Sequence, residues 1–298
     1  MICQCVPFKG MMGKGREAFS RISSGFLSAL FPEFCLGCGV FLERITGADK
    51  KDSFPEFPKG FMQADIETVF RMALDTMMCQ DCLDTFQAVT SPFCIKCGTV
   101  FQSREGNDRL CGACLKNPGR YRMARAAGVF QGSLLDAIHL FKYQGKLQLA
   151  KPLSRVLLYA LMVYAHEFAE GQNIDMIVPV PLHPKRFRER GFNQAYLLIQ
   201  HWEKMAASFG RALPYISIER HVLIRKKYTD SQTGLGKKER QKNINGAFQV
   251  SGKIDIRNKR VLLVDDVYTT GSTVNECVGV LLKGGARYVD ILTLARTV

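Results

Sequence analysis

Two adjacent carboxylates, Asp265 and Asp266, follow the apolar run that begins at Val261. Four apolar residues in a row predict a buried strand, and open α/β sheets bind their ligands at the carboxyl ends of such strands. Side-by-side carboxylates at that place can accept hydrogen bonds from two neighbouring ribose hydroxyls. The chemistry that these residue types suggest is therefore recognition of a sugar diol.

The residues after the carboxylates suggest a phosphate site. A short turn leads into an apolar-periodic segment, 274–283, that predicts a helix. The turn contains Thr269, Thr270, Gly271, Ser272 and Thr273. A glycine permits a tight turn, and hydroxyls with unpaired backbone N–H groups at a helix start form a cradle for phosphate. The alternative is a turn whose polar residues only cap the helix, but the long compound pattern favours a receptor for a ribose 5-phosphate.

The stretch 261–273 closely resembles the signature with which phosphoribosyltransferases bind phosphoribosyl pyrophosphate (PRPP). It contains neither a Walker A loop nor a Gly-x-Gly-x-x-Gly loop. The resemblance implies that Asp265 and Asp266 hold the ribose hydroxyls and, through water, a magnesium ion. It also implies that the turn 269–273 holds the 5-phosphate.

A second chemistry is indicated by the cysteines, of which the chain has 11. Eight of them form four Cys-x-x-Cys pairs: Cys35 and Cys38, Cys79 and Cys82, Cys94 and Cys97, Cys111 and Cys114. Two such pairs complete a tetrahedral four-thiolate zinc site, which leaves no position for water and is structural. Disulfides are disfavoured because no export signal is recognisable, and an iron–sulfur cluster is the remaining alternative.

The four pairs form an internal repeat that predicts a double zinc ribbon over residues 32–118. The simplest pairing unites the first two pairs in one site and the last two in another, although an exchanged pairing stays open. Residues 40–78 are interpreted as an insertion, mainly a loop, with a short helix near 64–77. Residues 1–31 are predicted to be an amphipathic segment that docks on the body.

The bulk composition describes a globular protein with an unusual charge. The chain has 298 residues, of which 47% are hydrophobic and 23% charged, and its formal net charge is +14. Such a charge predicts a polyanionic partner, either nucleic acid or a phosphorylated ligand, although a basic surface without a partner is the alternative. Because no run of about 18 apolar residues occurs, we expect no membrane insertion and a cytoplasmic location.

Residues 121–298 predict an α/β domain with a mostly parallel sheet flanked by helices, because strand-like and helix-like segments alternate. The predicted strands cover 126–130, 175–180, 221–224, 246–250, 260–265 and 287–294. The predicted helices cover 133–142, 148–169, 192–209 and 273–283. Ligands are expected at the carboxyl ends of these strands.

Two basic stretches are expected to flank that edge of the sheet. Lys185, Arg186, Arg188 and Arg190 are predicted to lie on a cationic loop suited to pyrophosphate, or else on a solvated basic turn. His183 on the same loop is expected to make hydrogen bonds rather than to act as a base. The stretch 225–243 contains Arg225, Gln232 and Arg240 and is interpreted as a mobile flap over the site, with a disordered linker as the alternative.

The whole chain from about residue 27 resembles the ComF family, which joins a zinc-ribbon domain to a type I phosphoribosyltransferase-like domain. The matching segments include the cysteine repeat, Phe141-Lys142-Tyr143, residues 178–183, residues 190–195, the 225–248 stretch and the 261–273 signature. The resemblance implies PRPP or nucleotide binding and a role in handling incoming single-stranded DNA. It also implies competence or recombination proteins as partners.

Thr269 bears on catalysis, because purine-salvage relatives have an aspartate there and threonine cannot take up a proton at neutral pH. A purine transferase is therefore disfavoured. Two hypotheses stand: an accessory factor that binds single-stranded DNA, or an active phosphoribosyltransferase of unknown acceptor.

Overall fold

The computed structural model describes residues 34–42, 64–103, 105–168, 173–208, 216–228 and 244–298. The predicted N-terminal segment 1–31 lies outside these residues. The helices are α1 (Ile66–Leu74), α2 (Gln80–Leu83), α3 (Gly112–Lys116), α4 (Gly132–Tyr143), α5 (Ala150–Val163), α6 (Pro184–Arg190), α7 (Gln194–Leu197), α8 (Trp202–Ser208) and α9 (Ser272–Lys283). The strands are β1 (Ala124–Val129), β2 (Met176–Pro179), β3 (Ser217–Ile218), β4 (Leu223–Arg225), β5 (Phe248–Val250), β6 (Arg260–Tyr268) and β7 (Tyr288–Arg296).

A five-stranded sheet in the order β1-β7-β6-β2-β3 forms the centre of the fold. Its neighbouring strands are all parallel, which confirms the predicted α/β class. Strand β6 continues to Tyr268, so the prediction that it ends at Asp265 is wrong. The pairing with β7 explains the extension, because it runs on through Asp265 opposite Thr293 to Tyr268 opposite Arg296.

Apolar residues of β6 alternate between two cores on opposite faces of the sheet. Leu262 and Val264 belong to a cluster that includes residues of α4, α5 and α8. Val261 and Leu263 belong to a second cluster, which includes α9 and the second half of the cysteine repeat. Because successive strand side chains point to opposite faces, Asp265 and Asp266 also leave the strand on different sides.

Three predicted elements are arranged differently from the prediction. The helix expected at 192–209 is divided into α7 and α8, where the Ser154 hydroxyl donates to the backbone carbonyl of Leu198 and so competes with the helical ladder. The strands expected near 221–224 and 246–250 are β4 and β5, and they form a separate antiparallel pair outside the parallel sheet.

The insertion in the cysteine repeat contributes to the main core. The helix expected near 64–77 is present as α1, and Phe70 and Leu74 are fully buried against α5. The Tyr159 hydroxyl donates to the carbonyl of Ala64 and ties the start of this segment to the same helix. The helix predicted within the insertion is therefore confirmed, while residues 43–63, most of the predicted loop, lie outside the described part.

Within the described residues, none of the helices combines the length and the apolar content that crossing a membrane requires.

Candidate ligand and metal sites

The two carboxylates of the signature are buried within strand β6. The backbone N–H of Val180 donates to the carbonyl of Val264 at 2.9 Å, so the end of β2 lies beside them. Burial and the neighbouring Asp266 raise the pKa of Asp265 to about 8. A nearby cation or a hydrogen-bond donor stabilises a carboxylate, so this pair is suited to a cation or to ligand hydroxyls.

Basic side chains act electrostatically on both carboxylates. The Nζ atom of Lys142, at the end of α4, lies 2.8 Å from Oδ2 of Asp266. The charge of Lys142 and, to a smaller extent, that of Arg225 lower the pKa of Asp265, although less than burial raises it. Lys142 belongs to the Phe141-Lys142-Tyr143 segment that resembles the ComF family, and no local pattern in the sequence indicates its contact with Asp266.

The turn after β6 has the backbone shape that the glycine predicted. Gly271 has a φ of +76°, and a Cβ atom added there would lie 2.3 Å from the hydroxyl oxygen of Tyr268. Helix α9 begins directly afterwards, and no side-chain hydrogen bond is made by its N-cap residue, Gly271. The Thr270 hydroxyl lies 3.0 Å from the hydroxyl of Ser272, and its Oγ1 accepts from the N–H of Ser272 at 3.4 Å. A helix start of this shape is typical both of anion sites and of capping turns.

The four basic residues expected on a loop lie instead on helix α6. Its start and end follow ordinary signals, because Nδ1 of His183 accepts from the N–H of Lys185 at 3.2 Å and Pro184 is the first helical residue. Gly191 ends the helix in the left-handed conformation, with a φ of +82°. These signals were present in the sequence, and His183 makes a hydrogen bond as expected.

Cations of helix α6 lie beside exposed aromatic rings that belong to other segments. Lys185 Nζ lies 4.4 Å from the centre of the Tyr228 ring, and the guanidinium of Arg186 lies 5.9 Å from it. At the other end, Arg190 lies 5.4 Å from the ring centre of Tyr143. Arginine and lysine over aromatic faces are typical of surfaces that bind single-stranded nucleic acids.

Of the three flap residues singled out in the sequence, Arg225 is the one that the structure describes. It ends strand β4, and its guanidinium lies 5.4 Å from the ring centre of Phe248. Burial and the charge of Arg186 lower its pKa. Gln232 and Arg240 lie outside the described residues.

The eight paired cysteines form two clusters whose members match the simplest pairing. Cys35, Cys38, Cys79 and Cys82 make the first, and Cys94, Cys97, Cys111 and Cys114 make the second. Within each cluster all four sulfur atoms lie within 4.8 Å of one another. The sulfur atoms of Cys38 and Cys79 are 3.6 Å apart, and those of Cys97 and Cys111 are 3.7 Å apart. A tetrahedral zinc ion with Zn–S bonds of about 2.3 Å needs sulfur separations near 3.8 Å, so both clusters are compatible with structural zinc.

Backbone N–H groups in both clusters point at sulfur, as thiolate ligands require. Cys94 Sγ accepts from the N–H groups of Cys97 at 3.5 Å and Cys111 at 3.3 Å. The Cys97 thiol and these N–H groups lower the pKa of Cys94 to about 4. Burial raises the pKa of Cys35, but N–H groups from Cys38 and Cys79 outweigh it and bring that pKa to about 6. One sulfur per cluster is thereby prepared as a thiolate.

Comparison with known proteins identifies similar chains and one matching domain model. Residues 203–297 match the phosphoribosyl transferase domain model. The chain is 33% identical over 220 residues to Competence protein F of Haemophilus influenzae, which covers 74% of this chain and 90% of that protein. It is 32% identical over 187 residues to DNA utilization protein YhgH of Escherichia coli K12, which covers 63% and 78%. It is 28% identical over 222 residues to Competence protein ComFC of Streptococcus pneumoniae, which covers 74% and 89%.

Proposed function

The chain belongs to the ComF family, and from this membership we propose that it binds PRPP or a related ribose 5-phosphate and handles single-stranded DNA during DNA uptake. The observation that carries the proposal is the junction of β6 and α9. There a buried pair of carboxylates leads into a glycine turn and a helix whose N-cap residue is Gly271. The segment 265–273, nine residues long, thus contains groups suited to bind a sugar diol, a magnesium ion and a phosphate.

In this proposal, Asp265 and Asp266 accept hydrogen bonds from the ribose hydroxyls and hold magnesium through water. The backbone N–H groups and hydroxyls of Thr269 to Thr273 hold the 5-phosphate. Arg225, whose charge acts on Asp265, and Arg186, whose charge acts on Arg225, supply positive charge for the pyrophosphate. Both cysteine clusters hold structural zinc, and the protein works in the cytoplasm.

Thermal unfolding with and without Mg-PRPP tests the ribose phosphate site. A ligand that binds only the folded state at 100 times its Kd stabilises that state by about 2.7 kcal/mol. Wild type and an Asp255→Ala control, in which an exposed carboxylate is removed, should both gain stability. The Asp265→Ala, Asp266→Ala double variant should gain none. An equal gain in thermal stability in all three proteins would refute the assignment. In the measurements without ligand, magnesium should be left out of the buffer and no chelator added, because a chelator would also remove zinc.

The proposed DNA surface is helix α6 together with the rings of Tyr143 and Tyr228. Both rings are exposed and each lies next to a cation of the helix. Phe187 is also exposed and offers a third stacking platform, whereas Phe192 stacks on Phe141 with ring centres 5.2 Å apart and is less available. Cations would neutralise backbone phosphates while the rings stack on bases, whatever the sequence.

Salt-dependent binding of a labelled single strand tests this surface. The log–log slope of affinity against salt is about −0.7 per phosphate contacted, so replacing Arg186, Arg188 and Arg190 with alanine should reduce its magnitude by up to about 2. The matched control removes three exposed cations, Lys259, Lys283 and Arg287, at the opposite edge of the sheet. Equal changes in both triple variants would mean that net charge alone attracts DNA.

The match to the phosphoribosyl transferase domain model supports a second candidate, an active transferase of unknown acceptor. Its test is release of pyrophosphate from Mg-PRPP in the presence of candidate nitrogen acceptors. Turnover that is lost in the double carboxylate variant would favour this candidate over binding alone. Absence of turnover with every acceptor, together with intact binding, would favour the accessory role.

A further inference from the structure

Arg296 joins the second cysteine cluster to the phosphate turn. Its Nη2 atom donates to Sγ of Cys97 at 3.2 Å, and its guanidinium carbon lies 4.2 Å from the centre of the Tyr268 ring. Arg296 and Tyr268 are register partners on β7 and β6. The sheet itself therefore holds the two side chains against each other.

The guanidinium of Arg296 lacks a carboxylate among the described residues. None of the ion pairs in that part of the chain includes it, and its Nε and Nη1 atoms are buried without a hydrogen-bond partner there. Arg296 is partly buried, and a cation that is partly removed from water is stabilised by a nearby anion. A zinc ion with four thiolates carries a net charge of about −2, so a metal-loaded second cluster is the anion that this arginine faces.

Tyr268 extends the connection to the turn. A Cβ atom added to Gly271 would lie only 2.3 Å from the Tyr268 hydroxyl oxygen, so the ring packs directly against that glycine. The same hydroxyl lies 2.9 Å from the hydroxyl of Tyr121, in the segment that leads from the cysteine repeat to β1. The ring is thus held by Arg296 on its face and by Tyr121 at its tip. Movement of either would displace the turn.

We propose that Arg296 is a positioning residue that balances the charge of zinc in the second cluster and, through Tyr268, holds the Gly271 turn in its ligand-binding shape. Cys97 and Tyr268 share one core cluster, whereas Cys35 of the first cluster belongs to the core on the other face of the sheet. Loss of metal from the second cluster should therefore alter the turn, and loss from the first should not. The inference rests on the proposed zinc occupancy and on the turn as the ribose phosphate site.

Zinc release from the full-length protein to a chromophoric chelator tests the first half of the proposal. Partners that hydrogen-bond to metal ligands typically contribute about 10-fold or more to metal affinity. Arg296→Met should release one of two zinc ions about 10-fold more readily, and Arg296→Lys should restore part of the difference. Arg257→Met is the control, since this exposed arginine pairs with Asp255. The absorption spectrum of the cobalt-substituted protein should shift for one site only. Unchanged release and spectra in Arg296→Met would overturn this half.

Hydrogen exchange of the backbone in a peptide covering 268–275 tests the second half and needs no ligand. Exchange should be faster in Arg296→Met and in Cys114→Ser, and unchanged in Cys38→Ser, which removes a ligand of the first cluster. Equal exchange in both cysteine variants, or no effect of Arg296→Met, would overturn the coupling. If Cys114→Ser does not fold, comparing the exchange rate of Arg296→Met with that of Cys38→Ser still tests the coupling. Failure of wild type to bind Mg-PRPP would refute the proposed function and leave both readouts interpretable.

Discussion

Lys142 and Asp266 form a buried ion pair, with Nζ of the lysine 2.8 Å from Oδ2 of the aspartate. The pair joins the end of helix α4 to the second carboxylate of the signature. Their side chains are 14% and 5% exposed, so solvent screens the interaction only weakly. A ligand that binds Asp266 must therefore share this carboxylate with a cation that is already in place.

Replacing Lys142 with methionine should destabilise the protein, because Asp266 would stay buried without its cation. Removal of one partner of a buried pair costs roughly 3–5 kcal/mol. The measurement is urea unfolding at pH 7, with Lys146→Met as the control at an exposed neighbouring lysine. The Lys142→Met, Asp266→Asn double variant should recover part of the loss, and strictly additive effects would contradict a direct interaction.

Gly271→Ala should abolish Mg-PRPP binding, whereas Gly252→Ala should not. Both glycines have left-handed backbones, with φ values of +76° and +72°, so alanine at either site costs about 1 kcal/mol or more. The added Cβ has open space at position 252 but collides with Tyr268 at 271. Calorimetric titration with Mg-PRPP should therefore separate the two variants, and normal binding by Gly271→Ala would contradict the turn geometry.

Metal analysis should find two zinc ions per chain. The Cys111→Ser substitution should remove one of the two ions and unfold the surrounding repeat. Zinc binding contributes roughly 10–16 kcal/mol to the folding of small zinc modules. The corresponding Cys82→Ser variant should also lose one ion, from the first cluster. One zinc or none in wild-type protein purified without chelators would contradict the prediction.

Asp175 should make the free energy of unfolding depend on pH in the acidic range. Its carboxylate accepts from the backbone N–H and the guanidinium of Arg260, and these contacts lower its pKa from 3.8 to about 2. The depressed pKa means that the stabilisation, at most about 2 kcal/mol, is complete above about pH 5 and is lost as the pH falls through 2. Unfolding of wild type and Asp175→Asn should therefore differ at pH 6 and converge near pH 2.

Asp255 is the control for this prediction. It makes a similar two-atom contact with Arg257, but both side chains are largely exposed, so solvent screening should leave little net stabilisation. Asp255→Asn should change the free energy of unfolding only slightly at any pH. An equal effect of the two substitutions would mean that burial does not decide the outcome.

Local patterns carried much of the prediction for this protein. The Cys-x-x-Cys spacing identified all eight thiols of the two clusters, because two residues between cysteines suit one tetrahedral ion. The apolar run from Val261 identified β6, and Gly271 identified the turn, because each depends on a few adjacent residues. Helix α6 was equally local, and its capping by His183 and Gly191 could have been recognised.

Contacts between distant segments were decided only by the tertiary structure. Arg296 reaches Cys97 across 199 positions, and Lys142 reaches Asp266 from a helix on one face of the sheet. Neither contact follows from spacing, because strand order and register set which side chains meet. Strand β6 likewise extends past Asp265 because β7 lies beside it as far as Arg296. The amino-acid sequence alone thus indicated which residues are suited to a ribose phosphate and to zinc. Packing of the parallel sheet decided that Arg296, which donates to Cys97, lies against Tyr268, the ring that packs on Gly271.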